Sequence, residues 1–211
     1  MTTSGPEALS SGGAHLRFAG RTPAEQTDAL RSIIAASTLL NAALDCLDTL
    51  ALPDAWIVSG AIYNTVWNAL TARPPLTGLR DIDIFYFDGA DLSYEAEDAV
   101  IRRAARLSRD LPVPVQIRNQ ARVPLWFRGK FGYDYPPLSS SREALRRFAS
   151  KTHAVGIRRI AGALEVEAPY GLDDLFSFRV VPNRVLENRE THETKGARAK
   201  AVWPELTIEP W

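Results

Sequence analysis

Asp81 and Asp83 stand two positions apart in the stretch DIDIFYFD, residues 81–88. Side chains two apart in an extended chain point the same way, so the pair shares one face of the strand that this alternation predicts. Two carboxylates held so close repel each other, and either a cation between them or water alone must screen the charge. Upstream, Ser59–Gly60 ends the apolar run AWIVSG and leads straight into AIYNTVWNAL, where Ile62, Val66, Ala69 and Leu70 recur at helical spacing. Gly60 lets a ligand approach the backbone, and the unbonded amides at the start of the following helix favour a phosphate. An anion-binding turn and a carboxylate pair in one strand–helix–strand unit suit a nucleoside triphosphate with Mg²⁺ or Mn²⁺. The turn takes the phosphates, while Asp81 and Asp83 hold the bridging metal. Asn64 lies near enough to the helix start to touch a phosphate or ribose, and shares a face with Asn68.

Other chemistry-bearing residues have competing structural readings. Glu165 and Glu167 share a strand face, either as further metal ligands or as a solvated edge. Asp173 and Asp174 follow a strand and a glycine, where acids cap helices. His15, His153 and His192 are scattered without zinc-site spacing. The single cysteine, Cys46, excludes a disulfide framework and reads as a buried small hydrophobe. Trp56 and Trp67 read as core, and Trp126, beside Arg122 and Arg128, as core or as a base-stacking platform. A sugar-nucleotide site could also use a D-x-D pair, but it does not need the preceding glycine turn.

The elements that must position these residues are punctuated clearly. Thr22, Pro23 and Glu25 form a capping box that opens a helix, and Ser37–Thr38 divides the helical pattern before Pro53. After the 81–88 strand, Ser93 caps a helix with acids first and arginines last, as the helix dipole favours. VPVQIRNQ is a third strand with Gln116 and Arg118 on one face. Ser140 and Glu143 predict a second capping box; ALEVEAPY reads as a strand, GLDDLFSFRV as a short helix, and the C-terminal stretch as a tail whose Trp203 and Trp211 pack back. Strands and helices alternating in this order indicate an α/β (α+β) fold, a small mixed sheet flanked by helices. The expected division is a loose tail over 1–20, one domain over 21–182 and an extension over 183–211.

At 211 residues and 45% hydrophobic content the chain is long enough for one buried core. Its zero net charge is unevenly spread: residues 101–160 carry 14 Lys and Arg against 3 Asp and Glu, either a polyanion-binding surface or solvated faces paired with acids elsewhere. No secretory pattern opens the sequence and no apolar run is long enough for a bilayer, so a cytoplasmic protein without membrane contact is expected.

The stretches WIVSGAIYNTVWNAL, DIDIFYFD, VQIRNQARVPLWF, APYGLDDLF and KGARAKAVWPELTIEPW resemble a bacterial nucleotidyltransferase-like family of unassigned substrate within the DNA polymerase beta-like nucleotidyltransferase superfamily. The resemblance implies a polymerase beta-like core, with Gly60 and Ala61 on the phosphate-contacting turn and Asp81 and Asp83 as metal ligands. It implies transfer of a nucleoside monophosphate from an NTP to an RNA, protein or small-molecule acceptor. A third acid is expected on the next strand, where this chain has Gln116, a neutral amide that coordinates through oxygen but cannot act as a base. Ala61 lacks the hydroxyl of the usual serine, and Pro124 stands where a polar residue is expected. These departures keep a second expectation open, a degenerate module that binds nucleotide or a partner without turnover.

Overall fold

The computed structural model describes residues 11–132 and 134–211. The Thr22 hydroxyl accepts from the Glu25 amide at 3.3 Å and the Glu25 carboxylate accepts from the Thr22 amide at 2.9 Å, so the capping box forms as written. It opens α1 (Pro23–Ala35), and the Ser37 hydroxyl then caps α2 (Thr38–Leu50), which ends where Ala51 turns left-handed at φ 49°. Next come β1 (Trp56–Val58), α3 (Gly60–Leu70), β2 (Ile82–Tyr86), α4 (Tyr94–Leu107) and β3 (Val115–Asn119). The remainder comprises α5 (Val123–Phe131), α6 (Ser141–Leu145), β4 (Gly156–Ile160), β5 (Ala163–Glu167), α7 (Asp173–Phe176), β6 (Arg179–Val180), α8 (Arg189–Val202) and β7 (Thr207–Ile208).

Five strands form a mixed sheet in the order β3-β2-β1-β4-β5, parallel only between β2 and β3. The fold class is therefore the expected one. Ile57, Ile82, Ile84, Ile117 and Ile157 line one face and share the main core with Leu40 and Leu44 of α2 and Ile62 and Val66 of α3. The alternation that buries Ile82 and Ile84 sends Asp83 and Phe85 to the opposite face. There the register forms a row of Glu167, Gly156, Val58, Asp83 and Gln116, one residue from each strand.

Several expectations change. GIRRI, whose apolar pattern is interrupted by Arg158 and Arg159, is nevertheless a strand, and as β4 it pairs with both β1 and β5. α5 is a further element beyond the expected ones, and Pro124 fits its first turn, where helix amides have no intrahelical acceptor. Pro124 therefore serves the start of a helix. Glu143 completes its capping box one residue early, accepting from the amide and hydroxyl of Ser139 while Ser140 accepts from the Glu143 amide. Cys46 is half-buried, with its Sγ 3.4 Å from the Leu107 carbonyl. In the stretch expected as a tail, residues 1–10 lie outside the described residues, while the His15 and Phe18 rings pack on Phe178 and Phe176. Among the described residues, no single helix is long and apolar enough to cross a membrane.

The C-terminal stretch packs back, but through a 14-residue helix, α8. His192, Gly196 and Ala199 bury one side of it, and Trp203 follows one turn on. The Trp203 indole donates to Asn68 Oδ1 at 3.0 Å, tying the end of α8 to α3. Gly78, at φ +74°, lies against this ring: a Cβ there would sit 2.5 Å from Trp203 Cη2. Gly78→Ala is expected to cost about 2–4 kcal/mol from left-handed strain and overpacking together, measured by urea denaturation. A loss below about 0.5 kcal/mol would show that α8 is not held through this contact.

Candidate active site

β1 delivers Ser59 into the turn before α3, where it adopts φ 57° and ψ −110°, a sparsely populated conformation for a residue with a side chain. Its amide donates to the Val155 carbonyl at 2.8 Å, and its carbonyl accepts from the Ile62 and Tyr63 amides. The turn is thereby fixed between β1 and the start of β4. The first amides of α3, those of Gly60 and Ala61, have no intrahelical acceptor. Ala61 is fully buried, whereas Gly60 reaches the surface of the turn.

Ser59, Gly60, Tyr63 and Asn64 line a polar cleft of about 250 Å³ together with Asp81, Asp83 and Gln116. The structure thus brings together Ser59, Gly60, Asn64, Asp81, Asp83 and Gln116, whereas Ala61, expected beside them, is fully buried and does not line the cleft. Asp81 immediately precedes β2, Asp83 lies within it, and Gln116 is opposite Asp83 on β3. Gln116 Nε2 donates to Asp81 Oδ2 at 2.6 Å, so the amide in the third-acid position holds one carboxylate of the pair. Burial, then repulsion from Asp81, pushes the Asp83 carboxyl up to about 6, against the pull of Lys195 and Arg118.

Three groups missed by the sequence reading complete the cleft. Lys195 and Arg198 reach it from α8, and Arg80 lies beside Asp81 in its wall. Burial pulls the Lys195 amine down, with Asp83 as the main opposing attraction. The Tyr63 hydroxyl, which hydrogen-bonds Arg198, is pushed up to about 12, chiefly by burial. Its ring stacks on His153 at 4.5 Å, and His153 is held near 3 chiefly by burial. The spacing Lys195, Arg198, Val202 follows one helical face beside the buried one, a signal that reading the segment as a tail hides.

The remaining candidates lie elsewhere. Glu167 occupies the same row as Asp83 but three strands away, about 14 Å at ordinary sheet spacing. Glu165 and Glu167 also pair with Arg142, and Glu165 with Arg158 at 2.7 Å, so neither can complete a site around Asp83. Asp173 accepts from the Gly20 amide and the Gln26 side chain, and Asp174 pairs with Arg179 at 3.5 Å. His192 bridges Ser150 and the Glu209 carbonyl, both at 2.8 Å. Trp56 and Trp67 are fully buried, whereas Trp126 is 37% exposed. Many arginines of residues 101–160 have carboxylate partners: Arg102 with Asp98, Arg122 with Glu97, Arg147 with Glu143, and Arg159 with Asp45 and Asp48. A larger cavity of about 610 Å³ among α1, α2 and α3 is mainly apolar and shares no lining residue with the cleft.

A family model described as nucleotidyltransferase matches residues 45–208, which include every element that lines the cleft. The chain belongs to this nucleotidyltransferase family. It is also similar to a protein whose NMR structure is described as revealing a CCA-adding enzyme head domain. The identity is 27%, with a TM-score of 0.67 over 89% of this chain and 96% of that one. No curated protein matches the sequence significantly. A polymerase beta-like nucleotidyltransferase fold is thus supported by the sequence family and the architecture alike.

Among the described residues, no three His, Cys, Asp or Glu converge on a metal site. The donor set is two carboxylates and the Gln116 amide, which fits one divalent cation and lacks the charge for a second. The fit rests on the placement of both carboxylates and Gln116 in one cleft wall, where a cation would relieve the repulsion between Asp81 and Asp83. Because the folded chain holds the Asp83 proton more tightly than an unfolded one (about 6 against 3.8), the resulting destabilisation is absent below about pH 4 and complete above about pH 6. Metal-free Asp83→Asn is therefore expected to be more stable than the natural protein by of order 2 kcal/mol at pH 8, with the gain vanishing toward pH 4. Urea titrations in EDTA measure this; a gain independent of pH would mean that Asp83 is not the strained group.

Proposed function

We propose that the protein is a Mg²⁺- or Mn²⁺-dependent enzyme that moves a nucleoside monophosphate from an NTP to an acceptor hydroxyl or phosphate, with release of pyrophosphate. The observation that carries this reading is the meeting of the Asp81–Asp83 pair with the Ser59–Gly60 turn and two α8 cations in one cleft. Membership in the nucleotidyltransferase family supports transfer as the reaction class.

Each residue has a role that follows from its chemistry. The Gly60 amide at the start of α3 receives a phosphate oxygen, and Arg198, held by Tyr63, neutralises the same end of the substrate. Asn64 faces the cleft within hydrogen-bonding reach of a phosphate or ribose placed there. Asp81 and Asp83 hold the divalent cation, which when bound supplies charge neutralisation to the phosphates during in-line displacement. Lys195 lies at the Asp83 side and offers positive charge to the transferred phosphoryl group. Gln116 keeps Asp81 oriented through its 2.6 Å bond. It has no basic atom, so the acceptor proton passes to a carboxylate oxygen of Asp81 or Asp83, or the acceptor arrives already ionised. The binding-only alternative draws on Gln116 alone.

The test is incubation of the purified protein with each labelled NTP, Mg²⁺ or Mn²⁺, and pools of RNA, protein and small metabolites. Transfer is expected, and Asp83→Asn is expected to reduce it by roughly 100-fold or more. Activity that appears only in Gln116→Glu would support the binding module instead. Absence of both transfer and NTP binding removes the proposal.

A further inference from the structure

A second cavity, of about 380 Å³, adjoins the cleft and shares Asp83 and Lys195 with it. Phe85 and Phe148, stacked at 5.6 Å, contribute aromatic surface to it, and α5 adds the partly exposed Trp126 and Phe131. Lys130 Nζ lies 5.8 Å from the Trp126 ring centre and 5.3 Å from that of Phe131, which places a cation beside an aromatic platform. Arg118, opposite Phe85 on β3, adds positive charge, and Asp83 is the only acid among the described lining residues. Such a lining disfavours a polycationic acceptor and suits a flat ring that carries negative charge.

The sheet register gives this groove a direction. β1 runs antiparallel to β2 with Val58 opposite Asp83 and Trp56 opposite Phe85, so Ser59–Gly60 lies toward the Asp81 end. Phe85 lies the other way from Asp83, about 7 Å further along the strand. The phosphate turn and the groove are thus at opposite ends of the carboxylate pair. In-line displacement requires the attacking oxygen and the leaving pyrophosphate to be on opposite sides of the transferred phosphorus.

We infer that the groove between α5 and the Phe85–Arg118 face is the acceptor site, and that it takes a nucleotide, its base stacked on the Trp126 and Phe131 surface and its phosphate met by Lys130 and Arg118. The volume is of the small-molecule class, within about 300–1,000 Å³. Either a free nucleotide or the end of a single strand supplies this chemistry. The inference rests on the reading of the neighbouring cleft as the NTP site.

The test is titration of the full chain, loaded with a non-hydrolysable NTP and Mg²⁺, with AMP and separately with a short single-stranded oligoribonucleotide. At least one probe is expected to bind. Trp126→Ala should weaken it about tenfold and Trp126→Phe should restore it to within about threefold, since a stacked base contributes about one order of magnitude or more. NTP affinity should stay the same in both variants. Tighter binding of the oligonucleotide than of AMP assigns a strand end; equal binding assigns a free nucleotide. If NTP affinity falls with Trp126→Ala, the donor's own nucleoside occupies the groove and the inference is wrong. It is equally wrong if neither probe binds a protein that binds NTP. If the natural protein binds no NTP at all, the reading of the cleft falls first and the acceptor role falls with it.

Discussion

Repulsion between Asp81 and Asp83 is the constraint around which the rest of the molecule is arranged. The extended chain at the start of β2 puts both groups on one face, and partial burial of Asp83 removes some of the water that would otherwise screen it. Relief comes from three directions: the Gln116 amide bonded to Asp81, Arg118 on the adjacent strand, and Lys195 on α8. The lysine belongs to a part of the chain more than a hundred residues away. Its placement depends on the packing of Trp203 on Asn68 and Gly78, and on His192 between Ser150 and Glu209. Fold stability and site electrostatics are therefore coupled through the C-terminal helix.

The parts of this arrangement that were legible in the sequence are the local ones. Capping at Thr22, the alternation of Ile82 to Tyr86 and the glycine at the start of α3 each follow from neighbouring residues, and each stands as expected. What was hidden depends on partners distant in sequence. β4 has an unpromising composition because Arg158 lies over the Trp56 ring at 4.1 Å and Arg159 pairs with Asp45 and Asp48, so its charges are compensated from other elements. α8 has a nearly uniform polar surface, since its buried side is made of small residues and one histidine that close approach, not hydrophobicity, favours. The exclusion of Glu165 and Glu167 needed the strand order, which no spacing within ALEVEAPY could give.

The proposed chemistry uses the same asymmetry. One end of the carboxylate pair faces the Gly60 turn and Arg198, a setting for the leaving phosphates; the other faces aromatic rings with few acids. An amide in place of a third carboxylate reduces the negative charge available to cations, and Lys195 lies in the wall where both cavities meet. The reaction proposed here therefore depends on a single cation and on fixed positive side chains more than on a two-metal clamp.

The most direct measurement is the anomalous signal from crystals soaked with a non-hydrolysable NTP and Mn²⁺. One manganese ion is expected between Asp81 and Asp83, with the terminal phosphates over the Gly60 turn and beside Arg198. Manganese at Glu165 or Glu167, or phosphates bound away from the α3 turn with Asp83 still facing Lys195 alone, would contradict this placement.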